Sequence, residues 1–313
     1  MPSRRVLGIL AQVTALGAGT WFLVRTAAAS WGTINLGQLH LMWLPIVAGS
    51  LLTGATYLFL VFLWVWSLKW WDQRFPYLEA ARVWFVSNLA RFIPGMVWQL
   101  VGVAAMSHER DVSPVAATAA VLLQQVVLVF TGLAVAAAWA PALLARWTYG
   151  IQPGELLALT AGAMVLLVIL LPRLMPLVGR LVSRALRRDI TWPPMPTGGF
   201  AWYVAGLCVP WVTYGVAFWL FGHGLLGSQA PVFTLAVGGF VVSYVAGLIV
   251  VFAPSGLVVR EAALVAALGP ALGGGPALVL AVASRVWLLV VELITALGVL
   301  AAHALAQRRR GTA

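Results

Sequence analysis

Long apolar blocks alternate along the chain with short polar stretches. The blocks run roughly 6–24, 41–68, 114–139, 154–171, 198–221, 231–253 and 276–305. Each is long enough, or nearly so, to cross a hydrocarbon core of about 30 Å as a helix. Membrane-spanning barrel strands would instead read as short alternating segments. The pattern predicts an all-α polytopic membrane protein of about six to eight spans, forming a single transmembrane domain over 1–313.

Two regions break the pattern. Residues 77–106 carry Glu79, Arg82, Asn88 and Arg91, then Pro94-Gly95, then an apolar stretch too short to span. Residues 254–269 form a similar short piece that opens on Pro254-Ser255-Gly256. Proline removes a backbone donor and clashes with the preceding turn, and glycine lets the backbone reverse. Polar groups freed at membrane depth are tolerated only where they face protein or a wet cavity. Both breaks are therefore expected to be re-entrant hairpins. Phe92 and Pro94 recur as Phe252 and Pro254 at an offset of 160 residues. With one hairpin entered from each side, this predicts an inverted repeat of 41–171 and 198–305 around a midplane site.

Composition narrows the class further. Of the residues, 62% are hydrophobic and 9% charged, against about a quarter charged in soluble domains. A soluble enzyme, secreted domain, fibre or disordered chain is excluded. The lone cysteine, Cys208, cannot form an intramolecular disulfide and is expected to be a small buried filler. The net charge of +11 could suggest nucleic acid, but its placement argues for orientation instead. The segments 1–5, 69–82, 107–113, 172–197 and 308–310 hold 14 Lys/Arg, whereas 25–40, 140–153 and 222–230 hold two. The positive-inside rule then puts both termini in the cytoplasm. The basic run Arg173, Arg180, Arg184, Arg187 and Arg188 fits topology and attraction to anionic lipid. Trp64, Trp66, Trp70 and Trp71, with Trp31, Trp43, Trp139 and Trp147, mark block ends and are expected to be interfacial anchors. At the N-terminus, Arg4-Arg5, an apolar run and Ala27-Ala28-Ala29 imitate a cleavable signal. The run of about 19 residues is long for one, so an uncleaved first helix is expected.

Three arginines remain within or beside the membrane blocks: Arg91, Arg260 and Arg285. Each costs about 2.5–3.5 kcal/mol near the bilayer centre on insertion scales. The candidate partners are Glu261, Glu292 and Glu79. Arg285 and Glu292, seven apart, share a helix face. Either these charges only fix helix packing, or the arginines hold an anionic group and the carboxylates orient them, helped by helix N-termini after the two breaks. Asn88, Gln99, Gln124, Gln125 and Ser284 could line the same cavity or make helix–helix hydrogen bonds.

The segment Asn88…Arg91-Phe92-Ile93-Pro94-Gly95-Met96-Val97-Trp98 resembles the first signature of the lysylphosphatidylglycerol synthase transmembrane (flippase) family. Tyr244-Val245-Ala246-Gly247 and Pro254-Ser255-Gly256-Leu257-Val258-Val259-Arg260-Glu261-Ala262 resemble the second, and Arg285 with Glu292 the third. The resemblance covers about 300 residues. It implies translocation of an anionic lipid or lipid-linked substrate: lysyl-phosphatidylglycerol, a glycolipid or a polyprenyl-phosphate sugar. Arg91, Arg260, Arg285, Asn88, Glu261 and Glu292 would form the substrate site. Val258 stands where relatives often have glycine, which predicts a less sharp second turn. Gln124 or Gln125 stands where they often have an acid, which argues against proton coupling there. No aminoacyl-transfer domain follows before Ala313, so synthesis of the lysyl-lipid is not expected.

Enzyme readings fare worse. Residues 25–40 lack the acid that a polyprenyl-sugar glycosyltransferase needs in its first external loop. Pro254-Ser255-Gly256 and Ser284-Arg285 hint at a lipid phosphatase, which requires a nucleophilic histidine. Leu257 occupies that place, and His40, His108, His223 and His303 lack ligand-like spacing. Glu109 and Asp111 lie in a short turn and are expected to be solvated. The expectation is a non-enzymatic cell (inner) membrane transporter with no cofactor, no metal and no nucleic-acid partner. Envelope-biosynthesis enzymes are candidate partners. The alternatives are a membrane enzyme acting on a lipid phosphate, or a non-catalytic subunit of an envelope-polymer assembly.

Overall fold

The computed structural model describes residues 41–89, 97–141, 143–144, 150–186, 195–249 and 258–311, with Trp21, Val24, Arg25 and Ala28. Among them the chain forms nine α-helices and no strand. These are α1 (Trp43–Leu68), α2 (Tyr77–Leu89), α3 (Val97–His108), α4 (Pro114–Trp139), α5 (Pro153–Leu186), α6 (Thr197–Leu226), α7 (Phe233–Ile249), α8 (Val259–Leu272) and α9 (Gly274–Gly311). Five of them, α1, α4, α5, α6 and α9, are long and apolar enough to cross a membrane. Most of the first apolar block, Arg91, and the breaks at Pro94-Gly95 and Pro254-Gly256 lie outside the described residues.

The helices on either side of each break pack against one another: α2 on α3, and α7 on α8. That is what two arms of a hairpin require. The element order reads long, short, short, long from α1 to α4, and again from α6 to α9. The leading helices of the two series, α1 and α6, form the most extensive pair. They run antiparallel, since Met42 N–H donates to Gly224 O (2.9 Å) at one end and Trp66 stacks on Tyr203 (5.8 Å) at the other. Between those ends Thr56 Oγ1 donates to Thr213 Oγ1 at 2.8 Å. In lipid no hydrophobic force separates helix from solvent, so such close polar and small-residue contacts carry the association.

Local signals explain several boundaries. Ser113 caps α4, its Oγ accepting from Ala116 N–H, with Pro114 in the first turn, where its missing donor costs nothing. The five-residue connection before it is tied to the turn after α1, since Ser113 N–H donates to Gln73 Oε1 at 2.9 Å. α5 runs well past the expected end at 171, continuing through Pro172 and Pro176 to Leu186. Arg173, Arg180 and Arg184 therefore stand exposed on the extension of this long apolar helix. Arg187 and Arg188 lie outside the described residues.

The tryptophan expectation needs correction. Trp43 is exposed, as an anchor should be, but Trp64 and Trp71 are buried. Trp64 donates its indole N–H to Ala117 O on α4 at 3.3 Å. Trp66 and Trp70 are half-buried against Tyr203. This end of α1 is a packed aromatic joint, not a belt facing headgroups. Cys208 is half-buried beside Trp211 rather than fully enclosed.

Candidate functional site

Helix α9 carries the polar groups that organise the interior. Arg285, Glu292 and His303 are spaced seven and eleven apart, which at 100° per residue returns to the same face each time. From Arg285 to His303 the rise is about 27 Å, close to the thickness of a hydrocarbon core. Each of the three meets a different partner, and together they tie α9 to both short-helix pairs.

At the first level, Arg285 Nη1 lies 3.4 Å from Glu261 Oε1 on α8. Glu261 is buried, and neither of its carboxylate oxygens has a hydrogen-bond partner among the described residues. Its neighbour Arg260 is 8% exposed. The Arg260 guanidinium lies over two rings of α7, with Cζ 4.4 Å from the Tyr244 centroid and 4.9 Å from that of Phe240. Those rings continue into a buried cluster through Tyr214 of α6 and Tyr57 of α1. A guanidinium is planar and weakly hydrated, so aromatic faces can hold it where lipid could not. Its Nη2 is buried and has no hydrogen-bond partner among the described residues.

At the second level, about 10 Å further along α9, Glu292 is 1% exposed. Its Oε1 accepts from Asn88 Nδ2 at 2.9 Å, and Asn88 Oδ1 accepts from Gln99 Nε2 at 2.8 Å. Asn88 lies on α2 and Gln99 on α3, so this chain of bonds joins both arms of the first pair to α9. At the third level, His303 Nε2 lies 2.9 Å and Arg110 Nη2 3.3 Å from Glu79 Oε2.

Of the residues expected at the site, Asn88, Arg260, Glu261, Arg285 and Glu292 are thus brought onto one polar framework. Arg91, Pro94, Gly95, Pro254 and Gly256 lie outside the described residues. Arg285 takes Glu261 from a neighbouring helix. Glu79 sits at the end of the framework with Arg110 and His303. Gln124 makes a helix–helix bond, its Nε2 donating to Leu60 O at 3.0 Å, and Ser284 bonds Ala281 O within its own helix. Sequence reasoning missed Phe240 and named Tyr244 only within the second motif; their spacing of four on a helix is the signal for a ring pair under a cation. It also missed His303, set aside there for lacking ligand-like spacing.

The turn expected to be less sharp lies, up to Leu257, outside the described residues, but Val258, the cap residue before α8, has φ 71° and ψ −43°. A β-branched residue there is strained. The adjoining Arg260 and Glu261 make that strain local to the site. Val258→Gly is expected to raise the thermal stability of the detergent-solubilised protein by about 1 kcal/mol, strain relief outweighing the entropy cost of glycine. A loss of stability would mean that the turn does not demand this backbone.

Fold and site together define an all-α, multi-pass membrane protein with a buried, charged polar framework. No family model, curated protein or solved structure matches the chain.

Proposed function

We propose that the protein translocates an anionic lipid or lipid-linked substrate across the bilayer, the phosphate being held by Arg260 and Arg285. The observation that carries this reading is the Arg260 guanidinium: buried, braced on Phe240 and Tyr244, with Nη2 unsatisfied among the described residues. A packing role would give each donor a partner, because an unmet buried donor costs free energy. A phosphate oxygen supplies the missing acceptor, and a guanidinium suits it geometrically.

The polar stripe of α9 gives the headgroup successive polar neighbours through the core while the acyl chains stay in lipid. Glu261 and Glu292 orient the arginines and the amides. The resemblance to the lysylphosphatidylglycerol synthase transmembrane family supports the same substrate class: phospholipid, glycolipid or polyprenyl phosphate. The 14-to-2 partition of basic residues supports an inner-membrane location with both termini cytoplasmic. Enzymes of envelope biosynthesis are the natural suppliers and users of such a substrate.

The test is reconstitution into phosphatidylcholine vesicles with fluorophore-labelled phosphatidylglycerol, a phosphorylated glycolipid and a short polyprenyl phosphate. Faster leaflet exchange of at least one probe than in protein-free vesicles is expected. Rates equal to protein-free vesicles for all three would remove the reading.

A further inference from the structure

Glu261 is held in a way that a purely structural ion pair is not. Charge-assisted pairs that fasten helices are short, about 2.7–2.9 Å, and often bidentate. Here a single contact of 3.4 Å links Glu261 to Arg285, without a hydrogen bond to either carboxylate oxygen among the described residues. Two cations adjoin it among the described residues. Arg285 reaches it from α9 and Arg260 precedes it on α8, while Tyr244 of α7 and Tyr57 of α1 lie near Arg260 rather than against the carboxylate. The proposed substrate also needs both cations.

We propose that Glu261 is a proton carrier, and that each anionic headgroup crosses together with one proton. The inference rests on the lipid-transport reading and adds a second transported species to the same site. A phosphate that binds Arg260 and Arg285 competes with Glu261 for Arg285. Once displaced, an ionised Glu261 is a buried anion beside another anion, with no hydrogen-bond partner among the described residues. That state costs several kcal/mol. Taking up one proton neutralises the carboxyl group and removes both the desolvation cost and the repulsion. When the phosphate leaves, Arg285 returns, Glu261 ionises, and the proton is released on the side to which the headgroup has moved. A singly charged lipid anion and a proton together carry no net charge, so the cycle is driven by a pH gradient and is indifferent to membrane potential.

The experiment uses the full-length protein in phosphatidylcholine vesicles with tracer labelled phosphatidylglycerol, one pH unit more acid outside, and pyranine inside. With one-to-one coupling, the probe accumulates about tenfold in the inner, alkaline leaflet for each pH unit, since one unit is a tenfold change in proton activity. Pyranine reports acidification that depends on the added lipid. In Glu261→Gln the leaflet ratio no longer follows the gradient. Wild-type protein that equilibrates the probe equally between leaflets under the gradient, without lipid-dependent acidification, overturns proton coupling and leaves lipid transport standing. A Glu261→Gln protein that keeps the tenfold bias overturns the assignment to Glu261. Wild-type protein that moves no probe removes the transport reading and this inference with it. If Glu261→Gln proves inactive, the wild-type pyranine signal decides alone.

Discussion

Arg260→Met is expected to cut leaflet exchange of labelled phosphatidylglycerol at least about tenfold, the loss of one charge-assisted hydrogen bond worth about 1.5–3 kcal/mol. Its thermal stability in detergent is expected to be unchanged or higher. The two halves of this expectation belong together. Arg260 is buried over rings, with Nη2 unsatisfied among the described residues, so it carries a desolvation cost that ring contacts only partly offset. Methionine keeps the unbranched stem and a favourable sulfur–ring contact while removing the charge. Replacing a buried charged group by an apolar one of similar shape is often neutral or stabilising.

Arg285 provides the contrast. Its removal strands the Glu261 carboxylate, and its side chain is 21% exposed. Arg285→Met should therefore cost stability, about 2 kcal/mol after allowing for that exposure. If Arg260 were merely a packing residue, the two variants would lose stability alike and Arg260→Met would transport normally. Both arginines bind the phosphate in the proposed cycle, so both variants should lose exchange; stability separates them, because only Arg285 also holds a neighbouring helix through Glu261.

How far the sequence disclosed this arrangement depends on the kind of contact. Hydropathy locates α4 at 114–139, because Ser113 and Pro114 mark its start and the apolar run ends where the helix does. It misplaces the end of α5, because prolines and arginines after 171 read as a stop. In the fold they ride on a helix that is almost wholly exposed to its surroundings, where no neighbouring backbone forces an end. Spacing along one helix correctly puts Arg285 and Glu292 on one face. It cannot say which carboxylate from another helix reaches the guanidinium, and Glu261 does. That choice is made by the packing of α8 on α9, which no local pattern encodes. The same limit hid the link between Glu79 and His303, 224 positions apart in the chain. The ring pair Phe240 and Tyr244 was readable, since a spacing of four stacks two rings on one helix face. Its importance emerges only once Arg260 is seen above it. The breaks expected at Pro94-Gly95 and Pro254-Ser255-Gly256 lie outside the described residues; the helices that flank them pack together, α2 on α3 and α7 on α8.

The largest stability effect is expected where helices touch through glycine. A Cβ on Gly132 of α4 would lie 2.5 Å from Val245 Cγ2 on α7, and 2.9 Å from Cε2 and Cζ2 of Trp211 on α6. Trp211 cannot swing aside cheaply, because its indole N–H is shared between Thr131 Oγ1 (3.0 Å) and Leu128 O (3.1 Å), both on α4. Three helices therefore meet at one hydrogen atom, and any side chain must push two of them outward. Gly132→Ala is expected to lower stability by about 2–3 kcal/mol, at the upper end for overpacking, despite the roughly 1 kcal/mol that alanine gains in helix propensity. Gly132→Val should leave little folded protein after extraction. Gly162 on α5 is the control, since a Cβ there meets nothing within 4 Å. Gly162→Ala should gain up to about 1 kcal/mol from propensity alone. Monodisperse protein remaining after stepwise heating in detergent reads both. Equal shifts for the two alanine variants would mean that α4, α6 and α7 do not meet at Gly132. The platform beneath Arg260 would then be misplaced as well, because α7 supplies both of its rings.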